Sequence, residues 1–293
     1  MHSFLDNAKT SILVVGANSS IGSSLVNYYY HLPVNVITTT RRSDFVNNNS
    51  IYFDLKTNND ISITDYKSIR TAFICAAITS IEQCESNPEG TFQINVVNTV
   101  ALAKKLIDIG IFVVFLSSNA VFSGEIFLQK NTDITTPVTQ YGLQKAEAEK
   151  QLINLNGSVA ILRFSKIISS QMPLVQSWLC NLQSGKVINP FFDMVMSPIS
   201  MSYAVSLLKK ISDLKIPGIF QASATQDITY ADFAHYLCEK LGTTRYLIQP
   251  ISYRDSGIRF SPKNTALNCE SLNILGFHSP LPSDSLNQCF QSL

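Results

Sequence analysis

Short runs rich in β-branched residues alternate with longer helical patterns through the first 165 residues of this 293-residue chain. The clearest runs lie at 11–15, 34–39 and 112–116, and a helical pattern fills residues 21–30. The run at 112–116 is almost wholly apolar, as expected for a strand buried on both faces. This alternation predicts an α/β fold with a Rossmann-type doubly wound parallel sheet. Further strands are expected at 51–53, 72–76 and 159–162, and further helices at 91–109 and 138–154.

The rhythm changes after Phe164, where Pro173, Pro190, Pro198 and Pro217 separate shorter elements. We expect helices at 201–212 and 229–241, a strand at 218–222 and a turn-rich tail from residue 253. The chain should therefore hold a nucleotide-binding Rossmann domain at 1–165. A smaller C-terminal substrate-binding lobe at 166–293 should fold back over the sheet edge where ligands bind in open α/β sheets.

Composition excludes several classes of function. The formal net charge is +1, so nothing indicates nucleic acid or an anionic membrane as a partner. No apolar run approaches the roughly 20 residues of a membrane helix, and residues 1–10 lack the features of a signal peptide. The six cysteines include no C-x-x-C pair, which favours reduced thiols over a zinc site or a disulfide framework. We therefore expect a cytoplasmic protein with no metal site.

A glycine-containing segment follows the first expected strand directly. Gly16 would let the chain turn tightly, and Gly22 would let the next helix pack closely. The free amides at the start of that helix, together with its dipole, can hold a pyrophosphate. Ser19 stands where a third glycine is usual, and it fits only if its side chain turns away from the ligand or replaces a water. The candidate phosphate-binding residues are Gly16, Asn18, Ser19, Ser20, Ile21 and Gly22.

The end of the second expected strand indicates which dinucleotide binds. Arg41 and Arg42 stand there, at the place where a binder of NAD usually has an acidic residue for the ribose. Guanidinium groups pair bidentately with phosphate, so we predict NADP, as NADPH, with NAD as the alternative. A solvated loop pair near Asp44 is the competing interpretation. After the third strand, Asp54 and Leu55 would either contact the adenine or cap a helix.

The spacing of Tyr141 and Lys145 places a phenol and an ammonium one helical turn apart on one face. A free phenol has a pKa of about 10, which a neighbouring ammonium lowers, so Tyr141 could protonate a carbonyl oxygen. Ser118 would orient that oxygen, with Ser117 as its competitor. A lone pair with this spacing is usually only a surface pair. The buried strand upstream, the serine pair at its end and the phosphate loop instead favour hydride transfer from a nicotinamide.

Further segments carry recognisable motifs. They are Cys-Ala-Ala-Ile-Thr at 75–79, an acidic turn at 82–88 followed by Asn95, Leu-Ser-Ser-Asn-Ala-Val-Phe at 116–122, the helix at 137–149, and Pro-Lys-Asn-Thr-Ala-Leu at 262–267. Over nearly the whole chain they resemble the extended short-chain dehydrogenase/reductases, most closely the dTDP-4-dehydrorhamnose reductase group. The resemblance implies that Cys75, Ala76, Ala77, Asn95 and Ser117 also border the cofactor. It implies NADPH- or NADH-dependent reduction of a 4-keto group on a nucleotide-linked 6-deoxysugar, and it leaves a homodimer open.

The sequence departs from that family in the phosphate loop and near the substrate. The departures are Ser19 for the central glycine, Asn119 and Ala120 for an Asp-Tyr pair, Ser261 for an arginine, and Met201-Ser202-Tyr203 for a Val-x-Asp stretch. Cofactor chemistry survives such changes better than substrate choice does. The sequence therefore leaves the identity of the sugar open.

Two alternatives to a ketoreductase also stay open. One is a nucleotide-sugar epimerase or dehydratase, and the other is a non-catalytic NADP-binding regulatory subunit. Arg41 and Arg42 argue against an epimerase that holds NAD through an acidic residue. Asn119 and Ala120 cannot shuttle the proton that a dehydratase needs. The presence of Ser118, Tyr141 and Lys145 together favours an enzyme over a regulatory subunit, since fold alone does not fix function.

Overall fold

The structure, a computed structural model of the chain, describes residues 10–57, 61, 66–155, 157–258 and 260–291. The prediction that residues 1–10 contain no signal peptide falls outside the described residues, except for Thr10. The last two residues of the tail also fall outside them. The chain divides into two compact units. The first comprises Met1–Ser117, Pro137–Leu162 and Leu207–Ile219, and the second comprises Ser118–Thr136, Arg163–Ser206 and Phe220–Leu293. The assignment of cofactor to residues 1–165 and of substrate to 166–293 stays a prediction.

Within the described part of the chain, the central sheet has seven strands. The strands of the chain are β1 (Ser11–Val15), β2 (Asn35–Thr40), β3 (Ser50–Tyr52), β4 (Ile69–Ile74), β5 (Phe112–Ser118), β6 (Val159–Phe164), β7 (Lys166–Ile168), β8 (Val195–Met196), β9 (Pro198–Ser200), β10 (Gly218–Ala222) and β11 (Ile228–Thr229). The sheet order is β10-β6-β5-β4-β1-β2-β3. Parallel pairing joins β1 to both β2 and β4, β2 to β3, and β4 to β5. This order confirms the Rossmann-type doubly wound sheet, with its switch point between β1 and β4, where such sheets bind ligands.

Helices cover the strands of the first unit. The helices of the chain are α1 (Ser20–Tyr30), α2 (Ile81–Ser86), α3 (Pro88–Phe92), α4 (Thr99–Asp108), α5 (Gln140–Ile153), α6 (Pro173–Gln183), α7 (Met201–Leu214), α8 (Tyr230–Lys240) and α9 (Pro282–Cys289). Every residue of β1 and the first six residues of β5 are buried, because helices cover both faces of a parallel sheet. Leu106 of α4 and Leu152 of α5 belong to the same core. The ends of β1, β4 and β5 are thereby held firmly, and the loops after them carry the candidate site.

The single helix expected at 91–109 is interrupted in the structure. A π-helical segment, Gln93–Asn98, separates α3 from α4. The hydroxyl of Thr99 donates to the carbonyl of Ile94, five residues earlier, at 2.8 Å, and so stabilises the wider turn. π-helical segments are rare and occur frequently at functional sites. Hydrophobic periodicity does not reveal this one, because polar side-chain hydrogen bonds produce it.

The second unit has its own apolar core, formed mainly by α6, α8 and α9. The ring of Phe233 packs against Trp178 and Phe290, with centroids 5.9 and 5.8 Å apart. Parallel pairing joins β7 to β9, and antiparallel pairing joins β8 to β11. The elements expected at 201–212, 218–222 and 229–241 are present as α7, β10 and α8, whereas the tail expected to be turn-rich also contains α9. Within the described part of the chain, no helix has both the length and the apolar character needed to span a bilayer.

Candidate functional site

The turn after β1 depends on Gly16. Its φ is +84°, in the left-handed region that other side chains disfavour. A Cβ built there would lie 2.6 Å from the backbone nitrogen of Ala76. This closeness arises because the amides of Cys75 and Ala76 both donate to the carbonyl of Val15, at 2.9 and 3.0 Å. The loop after β4 is therefore drawn against the loop after β1, and only glycine fits between them.

Ser19 occupies the central position of the loop, where a glycine is usual, and it caps the start of α1. Its hydroxyl donates to the carbonyl of Gly16 at 2.8 Å and accepts from the amide of Gly22 at 3.1 Å. A Cβ on Gly22 would collide with the carbonyl oxygen of Gly16. The Ser19 hydroxyl is thus engaged in hydrogen bonds within the loop.

The start of α1 lies beside a cavity of about 670 Å³, whose lining includes Gly16, Asn18 and Ser19. The amides of Ser20 and Ile21, in the first turn, have no intrahelical carbonyl to bind. The helix dipole adds a partial positive charge at this end. Free amides beside that charge are suited to a phosphate or diphosphate group.

The same cavity continues past the ends of β2 and β3. Its lining there includes Thr39, Thr40, Arg41, Asp54, Leu55 and Lys56. Arg42, by contrast, forms a surface ion pair with Asp44 at 2.9 Å, and its guanidinium stacks over the ring of Phe45 at 4.0 Å. The sequence predicted the same phosphate-binding role for both arginines, but their environments differ. Arg41 borders the cavity, whereas Arg42 contacts Asp44 and Phe45 of its own loop.

Asp54 and Leu55 shape the cavity wall where β3 ends. The Asp54 carboxylate accepts the amide of Lys56 at 2.9 Å, so it stabilises a turn and does not cap a helix. The carbonyl of Leu55 accepts the side-chain amide of Asn98 at 2.5 Å. The polar side of the π-helical segment thereby holds this wall in place.

The loop after β4 forms another part of the wall, through Cys75, Ala76 and Ala77. Burial raises the pKa of the Cys75 thiol to about 12, while the positive charge of Lys145 acts in the opposite direction. The thiol is therefore neutral at physiological pH. The charge of Lys145 thus acts on Cys75, a residue of the cavity wall.

Asn95 is held in a buried hydrogen-bond network. Its side-chain oxygen accepts the amide of Ile78 at 2.8 Å, and its side-chain nitrogen donates to the carbonyl of Ile78 at 2.9 Å and to Gln144 at 2.8 Å. Gln144 in turn donates to the hydroxyl of Thr91 at 2.8 Å. The network joins the cavity loop, the π-helical segment and α5. Asn95 thus acts on the cavity through Ile78, which lines it.

The helix α5 carries Tyr141 and Lys145 on one face. Lys145 is 3% exposed, its ammonium donates to the carbonyl of Leu116 at 2.7 Å, and it stands 6.0 Å from the centroid of the Tyr141 ring. Burial lowers the pKa of Lys145 to about 8, and the Glu149 carboxylate opposes that shift. The phenol ring and the ammonium are therefore close together, and the ammonium interacts with Cys75, which lines the cavity.

The serine pair at the end of β5 offers two different hydroxyls. Ser117 is buried, and its hydroxyl donates to the Glu149 carboxylate at 2.5 Å. Ser118 is partly exposed, and its hydroxyl accepts the amide of Ala120 at 3.1 Å. Successive residues of a strand point to opposite faces, so one hydroxyl is committed to the protein interior. Ser118 is the first residue of the second unit.

Sequence reasoning did not identify Gln144 and Glu149, both buried on α5. A signal was available, because Glu149 lies one turn beyond Lys145 and two turns beyond Tyr141 on the same helix face. Thr39 was also missed, although its hydroxyl accepts the amide of Gly16 at 3.1 Å. Among the described residues, no three His, Cys, Asp or Glu side chains stand close enough together to hold a metal ion.

Comparison with known proteins adds to this geometry. The model of the RmlD substrate-binding domain family matches residues 10–293. The chain belongs to the RmlD substrate-binding domain family. This match confirms the resemblance to the dTDP-4-dehydrorhamnose reductase group that the motifs carry.

Relatives of this RmlD-family chain include proteins with different names. It is 26% identical over 197 residues to a probable low-salt glycan biosynthesis reductase, Agl14, of Haloferax volcanii, which covers 64% of this chain and 65% of that protein. It is 27% identical over 220 residues to methionine adenosyltransferase 2 subunit beta of Rattus norvegicus, and the match covers 71% of this chain and 65% of that protein. The chain thus spans slightly less than two thirds of the length of both proteins. A dTDP-4-dehydrorhamnose reductase of Sinorhizobium fredii is 28% identical over 212 residues, with 67% and 71% covered.

Solved structures share the fold of this RmlD-family chain. A dTDP-4-dehydrorhamnose reductase from Bacillus anthracis, solved in complex with NADP, superimposes with a TM-score of 0.83 over 97% of this chain and 99% of that one. The two sequences are 18% identical. At this identity the likeness establishes a common fold.

Proposed function

We propose that this protein is an NADPH-dependent oxidoreductase that reduces the 4-keto group of a nucleotide-linked deoxysugar. The observation that carries the proposal is the buried ammonium of Lys145. It stands 6.0 Å from the Tyr141 ring centroid and interacts electrostatically with Cys75 in the cavity wall. The relatives named as reductases in Haloferax volcanii and Sinorhizobium fredii support the same class of reaction.

The first unit fits a dinucleotide. Gly16 leaves a cradle that a Cβ would fill, and the amides of Ser20 and Ile21 suit a diphosphate. Arg41 borders the cavity beyond them and suits a ribose phosphate. A nicotinamide bound in this groove would supply the hydride.

The residues of the chain would then handle the proton. Tyr141 gives its phenolic proton to the carbonyl oxygen of the substrate. The positive charge of Lys145 favours the phenolate that remains, and the carbonyl of Leu116 fixes the position of that charge. The hydroxyl of Ser118 hydrogen-bonds the substrate oxygen and orients it.

Purified protein tests the reaction directly. NADPH oxidation should be followed with dTDP-4-dehydrorhamnose and with a panel of other nucleotide-linked 4-keto sugars. Stoichiometric NADPH oxidation with at least one sugar is the expected result. Conversion of a nucleotide sugar without net NADPH oxidation would indicate an epimerase or dehydratase. Tight NADPH binding without turnover of any sugar would favour a regulatory subunit.

The two arginines after β2 should differ in their effect on cofactor choice. Arg41→Ala is expected to raise the KM for NADPH at least roughly tenfold and to affect NADH far less, because a charge-assisted bond to phosphate contributes about 1.5–3 kcal/mol. Arg42→Ala is the matched control, since Asp44 and Phe45 already engage that side chain. Steady-state kinetics with both cofactors provide the measurement. An equal rise of KM for NADPH and for NADH would show that Arg41 does not bind the 2′-phosphate.

The rate of reduction should decline above about pH 8, the pKa of Lys145. Burial makes the neutral amine easier to form than in water. As the ammonium loses its proton, the phenolate left by proton transfer loses its stabilising charge. The kcat/KM for the keto sugar, measured from pH 6 to 10, should be flat on the acidic side of this pKa and fall beyond it. A profile that stays flat to pH 10 would contradict a role for the charged form of Lys145.

We further propose a cytoplasmic location and a homodimer. The six cysteines are free thiols in the structure, a state that reducing compartments preserve. Sedimentation velocity over a range of protein concentrations would test the dimer. A single monomeric species at every concentration would exclude it.

A further inference from the structure

Two consecutive residues of β5 hold the two buried charged groups of α5. The carbonyl of Leu116 accepts the ammonium of Lys145 at 2.7 Å, and the hydroxyl of Ser117 donates to the carboxylate of Glu149 at 2.5 Å. Lys145 and Glu149 are one turn apart on the helix, so they share a face. They are 3% and 2% exposed. One strand therefore holds both side chains, and both are shielded from solvent.

Neither group would be well accommodated alone, because an unpaired buried charge carries a large desolvation cost. Glu149 raises the pKa of Lys145, against the larger lowering caused by burial. The thiols of Cys75 and Cys84 also act to raise the pKa of Lys145, by less than Glu149 does. Burial raises the pKa of both thiols, so they carry little negative charge at neutral pH. Glu149 is the carboxylate among these groups, and it raises the pKa of Lys145 more than either thiol does.

Resting on the proposed function, we propose that Glu149 is a positioning residue that keeps the Lys145 ammonium charged and fixed beside Tyr141. Ser117 holds the carboxylate in its place. Glu149 needs no contact with substrate or cofactor in this role, because it acts through Lys145. The charge on Lys145 then depends on Glu149, which lies one turn further along α5 from Tyr141. The pH range of the reaction depends on Glu149 in the same way, because it follows the charge on Lys145.

The remaining charged groups near α5 are exposed, apart from the partly buried Glu147. Among the described elements, α2, α4 and the π-helical segment pack most extensively against α5, and β5 and α3 also bond to its side chains. The charged residues on α2, α3 and α4 are Glu82, Glu85, Glu89, Lys104, Lys105 and Asp108, all exposed, and the π-helical segment and β5 have none. On α5 itself, Glu147 accepts the side chain of Gln151 at 2.7 Å, and Lys150 is exposed. Exposed charges are screened by water and salt, so they influence Lys145 less than the buried carboxylate does.

The experiment measures the charge state of Lys145 without any substrate. Lysine labelled with ¹³C at Cε reports its protonation by NMR, and the Lys145 signal is assigned by comparison with Lys145→Arg. The variants are Glu149→Gln, Glu149→Asp and Ser117→Ala. Glu147→Gln is the matched control, because it removes a carboxylate from the same helix outside the buried pair. The pH profile of kcat/KM for the keto sugar is recorded for the same proteins.

Glu149→Gln is expected to lower the Lys145 titration midpoint by at least one pH unit, which is a tenfold loss of the protonated fraction on the alkaline side. Glu149→Asp should restore most of that shift, Ser117→Ala should give a smaller shift in the same direction, and Glu147→Gln should give none. The alkaline fall of kcat/KM should move with the NMR midpoint. A merely structural residue would lower the activity at every pH without moving either midpoint.

An unchanged Lys145 midpoint in folded Glu149→Gln would overturn the inference. If that variant does not fold, Ser117→Ala decides in its place, and an unchanged midpoint there would overturn it equally. A shifted midpoint in a protein that reduces no keto sugar would support the control of Lys145 by Glu149 and would count against the proposed function. The two proposals therefore fail in different ways.

Discussion

Tyr141→Phe is expected to bind NADPH as tightly as the unmodified protein and to reduce the keto sugar roughly 10²–10⁴ times more slowly, the usual contribution of a positioned general acid. The substitution removes one hydroxyl and leaves the ring that stands 6.0 Å from the Lys145 ammonium. Lys145 keeps its hydrogen bond to Leu116, so the site should keep its shape. Turnover under saturating substrate and NADPH titration followed by fluorescence provide the two measurements.

Tyr236→Phe is a suitable control for the loss of a tyrosine hydroxyl. Its hydroxyl donates to the side chain of Asn287 at 3.0 Å within the second unit, and we expect its removal to leave turnover unchanged. Full activity of Tyr141→Phe would remove the phenol from the mechanism. A parallel loss of NADPH binding would show that the hydroxyl serves the cofactor and not the proton transfer.

Gly16→Ala should have the second large effect, on cofactor use and on stability. A left-handed φ costs a non-glycine residue about 1–2 kcal/mol, and the new methyl group would lie 2.6 Å from the backbone of Ala76. The loop after β4 would have to move, and it carries the wall formed by Cys75, Ala76 and Ala77. A displacement of about 1 Å in a site can cost about 10²-fold in rate. We therefore expect kcat/KM for NADPH to fall by about that factor.

Gly110→Ala separates the steric effect from the backbone effect. Gly110 has a φ of +85°, nearly that of Gly16, but a Cβ built there meets nothing within 4 Å. The Gly110→Ala protein should lose about 1–2 kcal/mol of unfolding free energy, and its kcat/KM for NADPH should be unchanged. Urea unfolding and steady-state kinetics of the two variants give the comparison. Similar kinetics for both would show that the contact between Gly16 and Ala76 is unimportant for the cofactor groove.

The sheet and most helices could be predicted from the sequence because they follow from hydrophobic spacing. The apolar run at 112–116 indicated a strand covered on both faces, and the structure buries it completely. The π-helical segment could not be predicted in this way. It depends on Thr99 bonding to Ile94 and on Asn95 and Asn98 reaching two other loops. The contacts of Asn95 and Asn98 join parts of the chain that are distant in sequence.

The candidate site could be predicted where spacing along one element decides the geometry. Tyr141 and Lys145 share a helix face, and Gly16 directly follows a strand, so spacing along a single element is enough to single them out. The sequence could not decide between a phosphate contact and a solvated pair near Asp44 for Arg42, since the ion pair with Asp44 and the stacking on Phe45 depend on the exact path of the loop. The partnership of Ser117 with Glu149 joins residues 32 positions apart, and it becomes visible only once β5 and α5 are packed together.

The hydroxyl of Ser19 closes the first loop with atoms of the chain itself, through Gly16 and Gly22. A loop of this construction has its shape before any nucleotide arrives, so less ordering remains to be done on binding. A pattern that demands three glycines would overlook chains like this one. A pattern that accepts a helix-capping hydroxyl at the central position would retain them, and it would describe the physical requirement more closely than glycine spacing does.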